Sequence, residues 1–172
     1  MKAFILLLFT VILFGSCVKE DSDSYSLQVG QMLPEFAIED NEGQLISPEF
    51  LKDKVCVLAF VNTECPDCRK ELPELQAAYE LFKDNASVCF LAIGRNENAD
   101  ALAEYWKVHS LTIPYSGQHS DLIYKKFAST GIPRIYVVNG NGMIVYVGEP
   151  DSVPDRDELC AEIQRAANIH GY

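Results

Sequence analysis

The chain has 172 residues, 48% of them hydrophobic and 23% charged, which is enough apolar material for one core without metals or disulfide staples. A formal net charge of -11 with no basic patch repels phosphate backbones and anionic headgroups, which argues against nucleic acid as a partner. The six cysteines are widely scattered, and only Cys65 and Cys68 form a local motif, so a disulfide framework is not expected.

Residues 1–16 read as Lys2, an apolar run over 3–14 and the small pair Gly15-Ser16 ahead of Cys17. That is the layout of a signal peptide, and the run falls short of the roughly 20 apolar residues of a membrane span. Leu13-Phe14-Gly15-Ser16-Cys17 resembles the bacterial lipobox, with Phe14 where Leu is usual. The resemblance implies cleavage before Cys17 and lipidation of that cysteine. Ordinary secretion with a free Cys17 is the competing reading. Val18 to Ser24 is polar and charged, so residues 17–28 are expected to be the lipidated cysteine and a flexible tether. The expected location is extracytoplasmic, anchored by lipid on the periplasmic side or at the outer-membrane surface of a bacterium.

Residues 36–46 read as a short strand pair around Asn41-Glu42-Gly43, and Ser47-Pro48-Glu49 as a helix start. Val55 to Val61 is a continuous apolar run, which suits a central strand covered on both faces. Residues 66–84 carry Leu72, Leu75, Ala78, Tyr79 and Phe82 at helical spacing, with Pro73 inside as an expected kink. A second buried strand is expected over 87–94, a helix over 98–109, a short strand over 114–116 and a helix over 120–128. Strands over 134–138 and 143–147 would pair across Asn139-Gly140-Asn141-Gly142, before a last helix over 154–169. The alternation implies α/β with a mixed central sheet flanked by helices, preceded by a β-hairpin extension.

Two landmarks make this order specific. Thr63-Glu64-Cys65-Pro66-Asp67-Cys68-Arg69-Lys70-Glu71-Leu72-Pro73 follows the central strand, and Thr130-Gly131-Ile132-Pro133 precedes a later one. With the hairpin and the leader, the chain resembles the thioredoxin-like superfamily, in its TlpA/ResA-like membrane-tethered branch related to the AhpC/TSA redoxins. The resemblance implies a thioredoxin-like domain over 29–172 and a thiol-disulfide oxidoreductase. It implies protein thiol or disulfide clients, an upstream membrane electron donor, and no cofactor beyond a redox-active Cys65–Cys68 disulfide.

Thiol-disulfide exchange needs an exposed thiolate and a second thiol near enough to resolve the mixed disulfide. Cys65 would stand at a helix N-terminus, where free amides and the helix dipole favour negative charge, and is the expected nucleophile. Cys68, one turn inside, is the expected resolving thiol. Half a zinc site is the alternative for any CxxC, but His109, His119 and His170 are isolated and offer no second ligand pair. By resemblance Pro133 is the family's cis-proline, and Ile132 would pair with an extended substrate beside Cys65. Pro66 and Asp67 would complete the contact surface.

The chain also departs from the family pattern. Glu64 replaces the usual Trp before the first cysteine, Arg134 follows Pro133 where a small residue is common, and Ala59 stands where many thioredoxins carry a buried Asp. Glu64 and Asp67 would offset the helix effect on Cys65, which favours a reductant-leaning or isomerase-like couple over a strong oxidant. Proton transfer could pass to Glu64, Asp67 or Glu71, although simple surface solvation is the expectation for all three. Arg134 is expected to attract an acidic partner or to be a solvated edge residue. Cys56 and Cys89 read as small buried hydrophobes on strands, and Cys160 lies on the last helix; a pairing among the three stays open. Two other functions compete. A peroxiredoxin would use Cys65 against peroxide, but Leu58 and Asn62 occupy its Pro and Thr positions. A non-catalytic scaffold lipoprotein could keep the fold alone.

Overall fold

The structure is a computed structural model that describes residues 24–168. The expected signal peptide, its cleavage point and Cys17 lie outside the described residues. Strands β1 (Ile38–Glu39) and β2 (Leu45–Ile46) pair antiparallel. Asp40 shapes the turn between them, its Oδ1 accepting from the amides of Glu42 and Gln44 at 2.9 Å each, the usual side-chain mimicry of a backbone turn. Helix α1 (Pro48–Leu51) starts where expected: Ser47 caps it by accepting from the Phe50 amide, and Pro48 occupies the first turn, where a missing N–H costs nothing.

The main sheet has five strands in the order β5-β4-β3-β6-β7. Strand β3 (Val55–Val61) lies at its centre, parallel to β4 (Val88–Gly94) and antiparallel to β6 (Arg134–Val138). The short β5 (Tyr115–Ser116) pairs parallel to β4, and β7 (Ile144–Gly148) pairs antiparallel to β6. The β6–β7 turn is built on buried Asn139, whose Oδ1 accepts from the amides of Asn141 and Met143 at 3.1 Å. Gly142 closes that turn at a φ of 78°, which side chains rarely adopt.

Because side chains alternate along β3, its residues divide between two cores. Val55, Val57, Ala59 and Val61 pack with Leu72 and Leu75 of helix α2 (Pro66–Phe82), with Leu102 and Trp106 of α3 (Ala99–His109), and with Leu159 and Ile163 of α4 (Arg156–Asn168). Cys56, Leu58 and Phe60 face the other way, onto Phe36, Tyr124, Phe127 and Tyr136. There the Phe60 ring lies 4.8 Å from Phe127 and 5.3 Å from Tyr124, centroid to centroid. Pro73 sits within a continuous α2.

Two expectations need correction. Residues 120–128 hold only a 3-10 turn, Tyr124–Lys126, in place of a helix. Tyr124 and Phe127, three residues apart, are both buried against Phe60, and three residues per turn aligns them on one side better than an α-helix does. The tether expected over 17–28 is also shorter at its end. Leu27 is buried and its amide donates to the Phe127 carbonyl at 2.7 Å, while the Ser129 amide donates to the Tyr25 carbonyl at 2.7 Å. These bonds lay residues 25–27 along the segment that leads to Pro133.

Candidate functional site: a dithiol at the mouth of the first long helix

Between the central strand and the N-cap Cys65 of the long helix stand Asn62, Thr63 and Glu64, which fix where the dithiol begins. Asn62 clamps the turn from both sides. Its amide nitrogen donates to the Arg95 carbonyl at 3.0 Å, its Oδ1 accepts from the Glu64 amide at 2.9 Å, and its carbonyl accepts from the Cys65 amide at 3.0 Å. Thr63 is anchored to Glu97, which is nearly buried: the Thr63 amide donates to Oε2 at 2.8 Å and its hydroxyl donates to Oε1. Arg69 closes the turn by donating from Nε to the Thr63 carbonyl.

Cys65 is the N-cap of α2, with Pro66 in the first turn. It is half-buried, and its thiol donates to the Ile132 carbonyl at 3.7 Å. Cys68 is fully buried one turn on, and both are free thiols. Burial pushes the Cys68 thiol well above its ordinary range; a backbone hydrogen bond from Asn62 opposes the shift, and the neighbouring Cys65 adds to it. The pair is therefore asymmetric, one sulfur reachable and the other sealed and protonated.

Glu71 corrects the expectation of a solvated side chain. It is fully buried, with neither carboxylate oxygen partnered among the described residues. Burial, with Glu74 and Glu158 adding repulsion, raises its pKa to about 8. It shares the buried face of α2 with Cys68, three residues away. Glu64 and Asp67 are exposed, as expected, and each has a cation: Arg69 lies 3.7 Å from Glu64, and Lys70 lies 2.8 Å from Asp67. The negative charge expected to burden Cys65 is thus largely matched.

The Ile132–Pro133 peptide bond is cis. Pro133 is buried and Ile132 half-buried, and the Tyr124 hydroxyl donates to the Gly131 carbonyl just before them. Tyr124 is held in turn by the Arg95 guanidinium, 4.1 Å above its ring. Arg134 is not a solvated edge residue: it is buried at the start of β6, donating to Ser26 Oγ at 2.7 Å and to the Thr130 carbonyl at 3.2 Å, with Glu149 at 3.4 Å. A guanidinium survives there because its charge is shared among these acceptors. Asn62, Glu97 and Tyr124 position the site without having been marked in the sequence as its parts. Only Asn62 carried a local signal, as a turn former at the end of a strand.

Residues 29–147 match the AhpC/TSA family. The chain belongs to that family. The thiol-disulfide oxidoreductase ResA of Bacillus cereus (strain ZK / E33L) is 27% identical over 124 residues, covering 72% of this chain and 71% of ResA. The solution structure of a putative protein disulfide isomerase from Bacteroides thetaiotaomicron superposes with a TM-score of 0.75 at 26% identity, covering 84% of this chain and 91% of that one. StoA of Bacillus subtilis shares the fold, with a TM-score of 0.65 at 23% identity over 76% of this chain and 96% of its own. This AhpC/TSA member has the thioredoxin-like fold and is a thiol-disulfide oxidoreductase.

Proposed function

We propose that the Cys65-Pro66-Asp67-Cys68 dithiol exchanges electrons with disulfides in client proteins outside the cytoplasm, on a chain held to the membrane through lipidated Cys17. One observation carries the site assignment: a half-buried Cys65 thiol 3.7 Å from the Ile132 carbonyl, with Cys68 buried one turn behind it. The Cys65 thiolate attacks a client disulfide, one client sulfur leaves as a thiolate, and a mixed disulfide forms. Cys68 then loses its proton and attacks the Cys65 sulfur. The second client sulfur leaves, so the client is reduced and Cys65–Cys68 is oxidised. Ile132, Pro133, Pro66 and Asp67 form the surface on which an extended client segment lies. Glu71, ionised, takes the Cys68 proton, and a membrane electron donor restores the dithiol. The leader supports the location; among the described residues no helix is long and apolar enough to cross a membrane.

The test is insulin reduction beside peroxide consumption. Cys65→Ser is expected to abolish insulin reduction, and Cys68→Ser to accumulate mixed disulfides that identify clients by mass spectrometry. Peroxide consumption with negligible insulin reduction would replace this function with a peroxidase. A Cys65→Ser chain as active as the unmodified one would remove the dithiol from the mechanism.

A further inference from the structure

Cys56 and Cys89 stand directly opposite each other in the parallel register of β3 and β4. Both side chains turn to the face occupied by Leu58, Phe60 and Leu91. Neighbouring strands lie about 4.8 Å apart, inside the ~4.4–6.8 Å Cα separation that a disulfide bridges. The two thiols differ in access. Cys56 is fully buried, its sulfur 3.7 Å from the Leu51 carbonyl and 3.6 Å from that of Lys54. Cys89 is half-buried, because β5 pairs only with Ala92 and Ile93 and leaves the earlier part of β4 without an outer strand.

We propose that Cys56 and Cys89 form a second redox-active dithiol, oxidised by low-molecular-weight disulfides with Cys89 attacking and Cys56 resolving, independently of Cys65 and Cys68. Ionisation follows the same division as access. The interaction with Cys56, helped by Lys54, lowers the Cys89 thiol below its ordinary value against the effect of burial. The interaction with Cys89, together with burial, pushes the Cys56 thiol well above its own. Lys54 and Asp40 are the charged groups that act on Cys89, with opposite sign.

The reaction with oxidised glutathione balances. The Cys89 thiolate attacks one glutathione sulfur, the glutathione S–S bond breaks, and one glutathione thiolate leaves. Cys56 attacks the Cys89 sulfur and expels the second glutathione, whose departing thiolate takes up the Cys56 proton. Two protein thiols become one disulfide, and one glutathione disulfide becomes two thiols. The pair lies near the start of β3, whereas Cys65 follows its far end. At ~3.3 Å per residue the length of β3 alone separates the two dithiols by roughly 16 Å, so neither can resolve an adduct on the other.

The experiment uses the full chain carrying Cys65→Ser and Cys68→Ser. The reduced protein is exposed, folded, to graded oxidised glutathione, digested without reduction and mapped by mass spectrometry. A Cys56–Cys89 cross-linked peptide is expected, with a thermal midpoint above that of the reduced protein, because the link closes a long loop of the unfolded chain. Adding Cys56→Ala should stop the reaction at a glutathione adduct on Cys89. In the otherwise unmodified chain, Cys89→Ala should leave insulin reduction unchanged, which separates this pair from the Cys65–Cys68 site. The proposal is overturned by a persistent Cys89 adduct with Cys56 present, by no modification at either residue, or by cross-links that run instead to Cys17 or Cys160.

Discussion

Glu71 is the residue whose chemistry departs furthest from its neighbours. A carboxyl near ~4.3 in an unfolded chain and at about 8 when folded makes the native state hold a proton that the unfolded state has released. The stabilisation is fully present below the lower value and is gone above the higher one, falling by about 1.4 kcal/mol per pH unit between them. Urea denaturation across that window should show the decline in the unmodified chain and a nearly flat profile in Glu71→Gln, which should be the more stable of the two at alkaline pH. If Glu71 takes the Cys68 proton, the same variant resolves mixed disulfides more slowly above pH ~8, where the native carboxylate is ionised. Stopped-flow measurement of client release reads that rate directly. The cysteines themselves were legible, since a CxxC after an apolar strand is a local pattern. The burial of Glu71 was open to the same periodicity that marked Leu72 and Leu75, but its charge obscured it.

At the scale of the element, the connection from β3 to α2 matters most, because its shape fixes where the helix and its first cysteine begin. Glu97, arriving from beyond β4, accepts both the amide and the hydroxyl of Thr63. Glu97→Ala leaves those donors buried without an acceptor, at a cost of about 1–3 kcal/mol, measurable as a lower urea midpoint. It should also raise the accessibility of Cys68, read as faster alkylation of that thiol in the folded protein. No spacing rule links residues 63 and 97, so the contact was invisible until the strands were in register. The regular elements were easier. β3, β4, β6 and α2 lie within a residue or two of their sequence boundaries, because continuous apolar runs and helical spacing are determined locally. The segment over 120–128 was misread because the buried pair Tyr124 and Phe127 fits either helical period, and only the aromatic cluster around Phe60 decides between them.

Across the whole molecule, the alternation of β3 couples two cores through a single layer of backbone. Phe60 lies at the centre of the second core, in contact with the Tyr124 that holds the Gly131 carbonyl. Phe60→Ala should therefore cost about 3–5 kcal/mol of stability and also reduce client exchange, by loosening Tyr124. Phe60→Leu should recover most of the stability, since it refills much of the volume. Circular dichroism melts beside insulin reduction separate the two effects. The overall architecture was readable because strand and helix alternate in a fixed order; the docking of residues 25–27 was not, since a short polar segment gives no periodic signal and binds through backbone groups.

That docking also has a mechanical side. Tyr25 and Leu27 are bonded to Ser129 and Phe127, so tension applied ahead of Ser24 would reach the chain only a few positions before Ile132. A tug from the N-terminal side would thus be transmitted first to the jaw that faces Cys65, ahead of the sheet beneath it.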